Sequence, residues 1–158
     1  MNVLTSRRMR PEDQADAAAL LASLIRSDEI AGHSDAYGGA GEDAAIHRAL
    51  TLFLERPELG FTWLTFEESK LVGLATVCFA ISTNLGSTVA KLPDFVVTAG
   101  ARGRGIGQFM IETLAQELRD AGFGRIDLGA HDNNSGAQRF YERAGFARNH
   151  ELGMSLVL

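Results

Sequence analysis

The chain has 158 residues and a formal net charge of −5, from 15 basic and 20 acidic side chains. This length, with 46% hydrophobic residues, fits one globular domain that buries its own core. The acidic balance argues against a nucleic-acid partner, because binding to a phosphate backbone needs clustered Lys and Arg.

The N-terminus carries Arg7, Arg8 and Arg10 with no apolar stretch behind them, so neither a signal peptide nor a membrane span is expected. The single cysteine, Cys78, excludes an internal disulfide and favours a reducing compartment. We therefore expect a cytoplasmic protein without a membrane partner. The four histidines show no metal-ligand spacing, so no metal is expected either.

Two helices are predicted in the first half, after a strand from Val3 to about Met9. Pro11 opens the first helix, which runs to about Arg26, and the second runs from Glu42 to Arg56. The glycine-rich residues 31–41 between them predict a loop. Acidic side chains near this loop are candidates for binding a cationic substrate, with an ordinary solvated surface as the alternative. They are Asp28, Glu29 and Asp35.

The middle of the chain predicts a hairpin and a further strand. Residues 61–66 and 71–81 are rich in aromatic and β-branched residues around a polar turn, and residues 88–98 follow as the next strand. Pro93 cannot donate a ladder hydrogen bond, so this strand is expected to be bulged or unpaired there.

A glycine-dense turn then precedes a helix predicted from Gly107 to Ala121. The unpaired N–H groups of a helix's first turn attract anions, glycines let the backbone approach closely, and arginines add charge. The segment therefore predicts a pyrophosphate-binding turn. Its residues are Arg102, Gly103, Arg104, Gly105, Ile106, Gly107 and Gln108.

Two common phosphate-binding motifs do not match this turn. The dinucleotide pattern G-x-G-x-x-G fails, because Gln108 and Met110 stand where its last glycine would be. The P-loop fails because Ile106 and Gly107 replace its Lys and Ser/Thr.

The last third of the chain predicts a strand, a short helix and a closing strand. These span residues 125–130, residues 134–144 and residues 148–158. Together with the first half, they give a mixed α/β fold.

The pattern Arg102-x-x-Gly105-x-Gly107 resembles the pyrophosphate loop of the Gcn5-related N-acetyltransferase (GNAT) family. A second segment, Asn134-x-x-Ala137-x-x-Phe140-Tyr141-x-x-x-Gly145-Phe146, is similar to that family's second signature. The resemblance implies one GNAT domain over residues 1–158, with a mostly antiparallel sheet, a splayed strand and flanking helices. Residues 92–97 also resemble the diamine (spermidine/spermine-type) branch.

The same resemblance implies acetyl-CoA as the cosubstrate and assigns several of its contacts. The pantetheine arm would lie along unpaired backbone groups of Phe95, Val96 and Val97, and the N–H of Phe95 or Val96 would meet the oxyanion. Asn134, Ala137 and Tyr141 belong to the second signature and are assigned to the cofactor as well.

Tyr141 stands where the family keeps the general acid that protonates the leaving thiolate. A half-buried aromatic anchor is the alternative interpretation of this residue. The base is less clear, because diamine relatives have a Glu where this chain has Pro93. Asp94 is a candidate catalytic and substrate-binding residue if a bulge turns it round, while a water relay or a loop side chain (His33 or Asp35) is the alternative.

The function that the resemblance implies is acetyl transfer from acetyl-CoA to a primary amine of a small cationic molecule, by direct attack. A protein N-terminus and an aminoglycoside-like amine are alternative acceptors. A non-catalytic acyl-CoA-binding module is the alternative from another functional class. The family often forms homodimers, so a homodimer is a further expectation.

Overall fold

The structure is a computed structural model that describes residues 2–30 and 43–158. Its strands are β1 (Leu4–Arg8), β2 (Gly60–Glu67), β3 (Lys70–Ser82), β4 (Ser87–Leu92), β5 (Phe95–Val97) and β6 (Ile126–Leu128). Its α-helices are α1 (Gln14–Ile30), α2 (Asp43–Glu55), α3 (Ile106–Asp120) and α4 (Ser135–Arg143). Short 3-10 turns at Pro11–Asp13 and Ala99–Ala101 precede α1 and follow β5.

The described strands form one sheet in the order β1-β2-β3-β4-β6, with β5 paired to β3 beyond the end of β4. All pairs are antiparallel except β4 with β6. The mixed α/β fold with a mostly antiparallel sheet is therefore confirmed. The predicted hairpin is β2 and β3, which pair from Gly60↔Cys78 to Glu67↔Lys70.

The sheet has an apolar core on each face. On one face, α1 and α2 cover side chains that include Leu64, Leu74 and Val96. On the other face, α3 covers side chains that include Trp63, Ala75, Val77 and Leu92, and α4 contributes partly buried residues. Alternation along the strands assigns each residue to one face, which decides later which side chains can meet.

The predicted strand over residues 148–158 is wrong. The structure has no strand there, and Leu152, Met154 and Leu156 are 91%, 92% and 85% exposed. Their alternation is the pattern of a half-buried strand, but a strand also needs a neighbour for its backbone groups. Among the described residues, none pairs with this segment.

The predicted loop over residues 31–41 lies outside the described residues, and Asp35 and His33 lie outside with it. Asp28 and Glu29 belong to the last turn of α1. None of the described helices is both long and apolar enough to cross a membrane.

Candidate active site

The sheet divides where β4 ends. β4 runs parallel to β6 from Ala90↔Ile126 to Leu92↔Leu128. β5 continues the chain but pairs with β3, and in the described part of the chain it has no partner on its other side. A cleft therefore opens beyond Leu92 and Leu128, with one edge of β5 exposed along it.

A β-bulge separates β4 from β5. Cys78 pairs with Lys91 and Ala75 pairs with Phe95, so the two β3 residues between these pairs oppose three residues of the other strand. The three are Leu92, Pro93 and Asp94. The bulge expected at Pro93 is confirmed, and it divides the predicted strand over residues 88–98 into two.

This bulge turns Asp94 to the face that carries α1 and α2. Leu92 packs on the α3 face, and a regular strand would put Asp94 on that same face. The side chain of Asp94 instead bonds to Thr76, which lies between Ala75 and Val77 on β3. Ala75 and Val77 pack on the α3 face, so Thr76 and Asp94 point to the opposite one.

Thr76 and Asp94 are joined by three hydrogen bonds. The Thr76 hydroxyl donates to Oδ2 of Asp94 at 2.5 Å and accepts from the Asp94 backbone N–H at 3.1 Å. The Thr76 N–H donates to the Asp94 carbonyl oxygen at 3.1 Å. The carboxylate is therefore fixed to the sheet through both its backbone and its side chain.

The backbone groups of β5 point alternately to β3 and to the cleft. Thr76 N–H bonds to the carbonyl of Asp94, and Thr98 N–H bonds to the carbonyl of Val72. These bonds make Val96 the β5 residue whose own N–H and C=O point toward β3. Phe95 and Val97 therefore point theirs away from β3, whereas the backbone of Val96 is engaged by β3. The contact of Phe95, Val96 and Val97 with the cofactor stays a prediction.

Two glycines leave space above the turn that precedes α3. Gly103 and Gly105 have φ of +73° and +79°, which glycine adopts without strain. A Cβ atom added to either would meet nothing within 4 Å. α3 begins at Ile106, so its unpaired N–H groups lie beside this open space.

Tyr141 lies in an aromatic cluster that joins α4 to β5. Its ring centroid is 5.9 Å from that of Phe95, 5.2 Å from that of Phe140 and 5.7 Å from that of Phe146. Burial in this cluster raises the pKa of Tyr141 to about 12. The phenol therefore keeps its proton across the physiological pH range.

The match to the family model described as the acetyltransferase (GNAT) family covers residues 18–146. This span includes the cleft, the glycine turn and Tyr141. The chain belongs to the GNAT family. It is an acetyl-CoA-dependent N-acetyltransferase.

Solved structures share this fold at low sequence identity. A possible acetyltransferase from Clostridium difficile 630 has a TM-score of 0.82 at 14% identity, covering 99% of both chains. An integron cassette protein from the mobile metagenome of Cole Harbour Salt Marsh has a TM-score of 0.78 at 24% identity, covering 97% of this chain and 90% of the other. An aminoglycoside acetyltransferase from an uncultured soil metagenomic sample, in complex with sisomicin, has a TM-score of 0.73 at 18% identity, covering 98% and 96%.

GNAT enzymes use acetyl-CoA, and the turn before α3 has the form that a diphosphate needs. The open space over Gly103 and Gly105 would be filled by side chains at either position. Ile106 is 2% exposed, so only its backbone can reach a ligand there. The side chain of Gln108 is held by Glu112 at 2.8 Å, which leaves its backbone as the part directed to the turn.

Gly107 has a different environment from the two glycines before it. A Cβ atom there would lie 2.9 Å from Cζ of Phe140, so the absence of a side chain lets α3 and α4 approach closely. The sequence assigned Gly107 to the phosphate, and the structure adds this packing contact.

The two arginines of the turn are held differently. Arg102 donates from Nε to the carbonyl oxygen of Val97 at 3.1 Å, which fixes its stem beside β5 while the residue stays exposed. Arg104 forms an ion pair with Glu67 at the end of β2, and this contact lowers the pKa of Glu67. Arg102 therefore has more of its charge available to a bound anion than Arg104.

Asn134 caps α4 through the backbone of Ala137. The Asn134 side-chain oxygen accepts the Ala137 N–H at 3.1 Å, which satisfies one N–H of the helix's first turn. This contact gives both residues a local structural role beside the cofactor role assigned from the sequence.

Sequence reasoning missed Thr76 and treated Cys78 as a small apolar residue. Cys78 is half-buried, and its pKa is raised by burial and then by the charge of Asp94. A threonine within an apolar strand is common in β-sheets, so the sequence alone gives no reason to single out Thr76. Its contact with Asp94 becomes evident only once the register of the bulge is known.

Within residues 2–30 and 43–158, no group of three His, Cys, Asp or Glu side chains could hold a metal ion.

Proposed function

We propose that this enzyme transfers the acetyl group of acetyl-CoA to a primary amine of a small cationic molecule by direct attack. In this proposal Asp94 assists deprotonation of the amine and Tyr141 protonates the departing sulfur. The observation that carries it is the position of these two residues. Phe95 contacts Tyr141 on the α3 face, and Asp94, next to Phe95 in the chain, points to the opposite face.

The amine must lose a proton during the reaction. With a pKa of about 10.4, only about one primary amine in 2,500 is neutral at pH 7, which costs roughly 4.6 kcal/mol. The ammonium group must first lose one proton to solvent, because a protonated nitrogen has no lone pair for the attack. Asp94 would hold the cation by charge and accept the second proton as the neutral nitrogen attacks the carbonyl, since the nitrogen becomes far more acidic once the C–N bond forms. A water molecule can link the two groups if the acceptor stands further away.

At the other end of the reaction, the sulfur must leave as a thiol. A thiol has an ordinary pKa near 8.5, so a phenol with a pKa of about 12 is a weak acid toward its thiolate. The gap amounts to about 5 kcal/mol, which is small beside the roughly 16 kcal/mol barrier of a reaction that turns over about ten times per second. Proton transfer from Tyr141 in step with cleavage of the C–S bond would therefore not limit the rate.

The oxyanion that forms on the acetyl group also needs a donor. The N–H of Phe95 points into the cleft, between the faces that carry Asp94 and Tyr141. A fixed backbone donor at such a place lowers the barrier because it needs no reorganisation as the charge develops.

A cationic acceptor is favoured by charge. Asp94 lies on the face covered by α1 and α2, and the chain as a whole carries −5. In sequence, Asp28 and Glu29 stand near the end of α1, and Asp35 stands between α1 and α2. These three residues are proposed to attract the acceptor. A protein N-terminus and an aminoglycoside-like amine stay as alternative acceptors within the same reaction.

The experiment is thiol release from acetyl-CoA with a panel of diamines, aminoglycosides and short peptides with free N-termini. We expect release with at least one small polyamine-like amine, and a fall in its kcat/KM with added salt, because exposed charges are screened within about 8 Å at physiological ionic strength. Binding of acetyl-CoA without release for every amine would favour the non-catalytic module. A kcat/KM independent of salt would contradict the acidic attraction.

Three further parts of the proposal concern the whole protein. We infer one domain over residues 1–158, a cytoplasmic location from the single Cys78, and a homodimer from the habit of the family. Size-exclusion chromatography with light scattering tests the oligomer, and a monomer at micromolar concentration would overturn that part.

A further inference from the structure

We propose that Thr76 is a positioning residue that holds the Asp94 carboxylate in place for the acceptor amine. This inference rests on the proposed role of Asp94. Thr76 itself is 3% exposed and has no place in the reaction other than through Asp94.

The bulge creates the need for such a residue. An extra residue in one strand disturbs the regular ladder and leaves a backbone group without its usual partner. Here the hydroxyl of Thr76 accepts the Asp94 N–H, and the same hydroxyl donates to the Asp94 carboxylate. One side chain therefore stabilises the bulged backbone and fixes the rotamer of the carboxylate.

The hydroxyl also affects the charge of Asp94. A hydrogen bond donated to a carboxylate stabilises its charged form, so loss of the donor makes the carboxyl group easier to protonate. Among the described residues, the ionisable groups on this face include Cys78 on β3, which is neutral at physiological pH, and Lys91 on β4, which pairs with Asp127 at 3.2 Å. Asp127 is also held by Arg125 at 2.7 Å. Apolar side chains of α1 and α2 pack against this face.

Thr62 provides a matched control inside the same sheet. It pairs directly with Thr76 across β2 and β3 and is 1% exposed. Its hydroxyl is fully buried and has no hydrogen-bond partner among the described residues. Thr62→Val and Thr76→Val therefore make the same chemical change at neighbouring buried sites, and only the second removes a bond to Asp94.

The test measures kcat and the pH profile of kcat/KM, with the best amine from the panel, for Thr76→Val, Thr76→Ser, Thr62→Val and Asp94→Asn. We expect Thr76→Val to lower kcat at least about tenfold, the loss typical of a hydrogen bond to a charged group, and to move the acid limb of the profile to higher pH. Thr76→Ser keeps the hydroxyl and should stay within about threefold of the wild type. Thr62→Val should stay within about twofold, with the limb unmoved.

The variants separate the two levels of the proposal. An Asp94→Asn enzyme with wild-type kcat would overturn the role of Asp94, and the role of Thr76 with it. A strong loss in Asp94→Asn together with wild-type kcat and an unmoved limb in Thr76→Val would overturn positioning and leave the proposed reaction standing. The limb reports the titration of Asp94 only in the pH range where the variant is folded, which circular dichroism against pH defines. Thr76→Ala is read in the same way if the valine variant does not fold.

Discussion

The ring of Phe140 lies against Gly107, so closely that a Cβ atom on the glycine would come within 2.9 Å of the ring's Cζ. This contact joins the first turn of α3 to the helix that carries Tyr141. The glycine turn and Tyr141 are therefore connected by direct packing.

We expect Gly107→Ala to lower the free energy of unfolding by about 1–3 kcal/mol, the usual cost of an extra methyl group in a packed interior. Denaturation in urea measures it. Gly100→Ala is the control, because a Cβ there meets nothing within 4 Å. Equal stabilities for the two variants would mean that Phe140 moves aside without cost.

Arg102→Ala should weaken the binding of acetyl-CoA by about 1.5–3 kcal/mol, because the variant loses a hydrogen bond to a charged group. Isothermal titration calorimetry measures the change. Arg119→Ala makes the same change in net charge at the other end of α3 and should leave the affinity within about 0.5 kcal/mol. If both variants bind acetyl-CoA like the wild type, the pyrophosphate does not lie at this turn.

Tyr141→Phe should reduce kcat at least about a hundredfold and leave acetyl-CoA affinity within about 1 kcal/mol, because the ring stays and the proton donor is lost. Since the pKa of Tyr141 is about 12, the wild type should show no basic limb from this residue below about pH 11. Single-turnover kinetics and calorimetry separate the two effects. If kcat falls less than about fivefold while chemistry limits the rate, Tyr141 is an aromatic anchor and not the general acid.

Cys78 reports the charge of Asp94 without any substrate. Its pKa is raised first by burial and then by Asp94, so Asp94→Asn should lower that pKa but leave it above the ordinary value. The rate of alkylation by iodoacetamide against pH gives the pKa directly, because Cys78 is the single cysteine of the chain. Asp120→Asn, on exposed α3 surface, is the control. An unchanged profile in Asp94→Asn would place the carboxylate too far from the thiol.

Local patterns predicted most elements of the fold. Pro93 predicted the bulge because its missing N–H removes a hydrogen-bond donor from the strand that contains it, which is a local effect. Leu152, Met154 and Leu156 predicted a strand that is absent, because alternation indicates which face is buried and says nothing about whether a neighbouring strand exists.

The geometry of the candidate site was predictable where it depends on adjacent residues, as in the open glycine turn before α3. The contact of Gly107 with Phe140 and the bonds of Thr76 to Asp94 join residues that are far apart in sequence. Such contacts follow from the register of the sheet and the docking of α4, which a single sequence does not specify.

The bulge at Pro93 also affects how this enzyme compares with others in an alignment. A bulge adds one residue to the count along the chain while the strand keeps its place in space. An alignment that matches Pro93 with an acidic residue in diamine-type relatives would score this chain as having lost a carboxylate. If a relative has no bulge at this place, superposition of backbones would compare its residue with Asp94, one position later, so coordinates test this pairing where an alignment column does not.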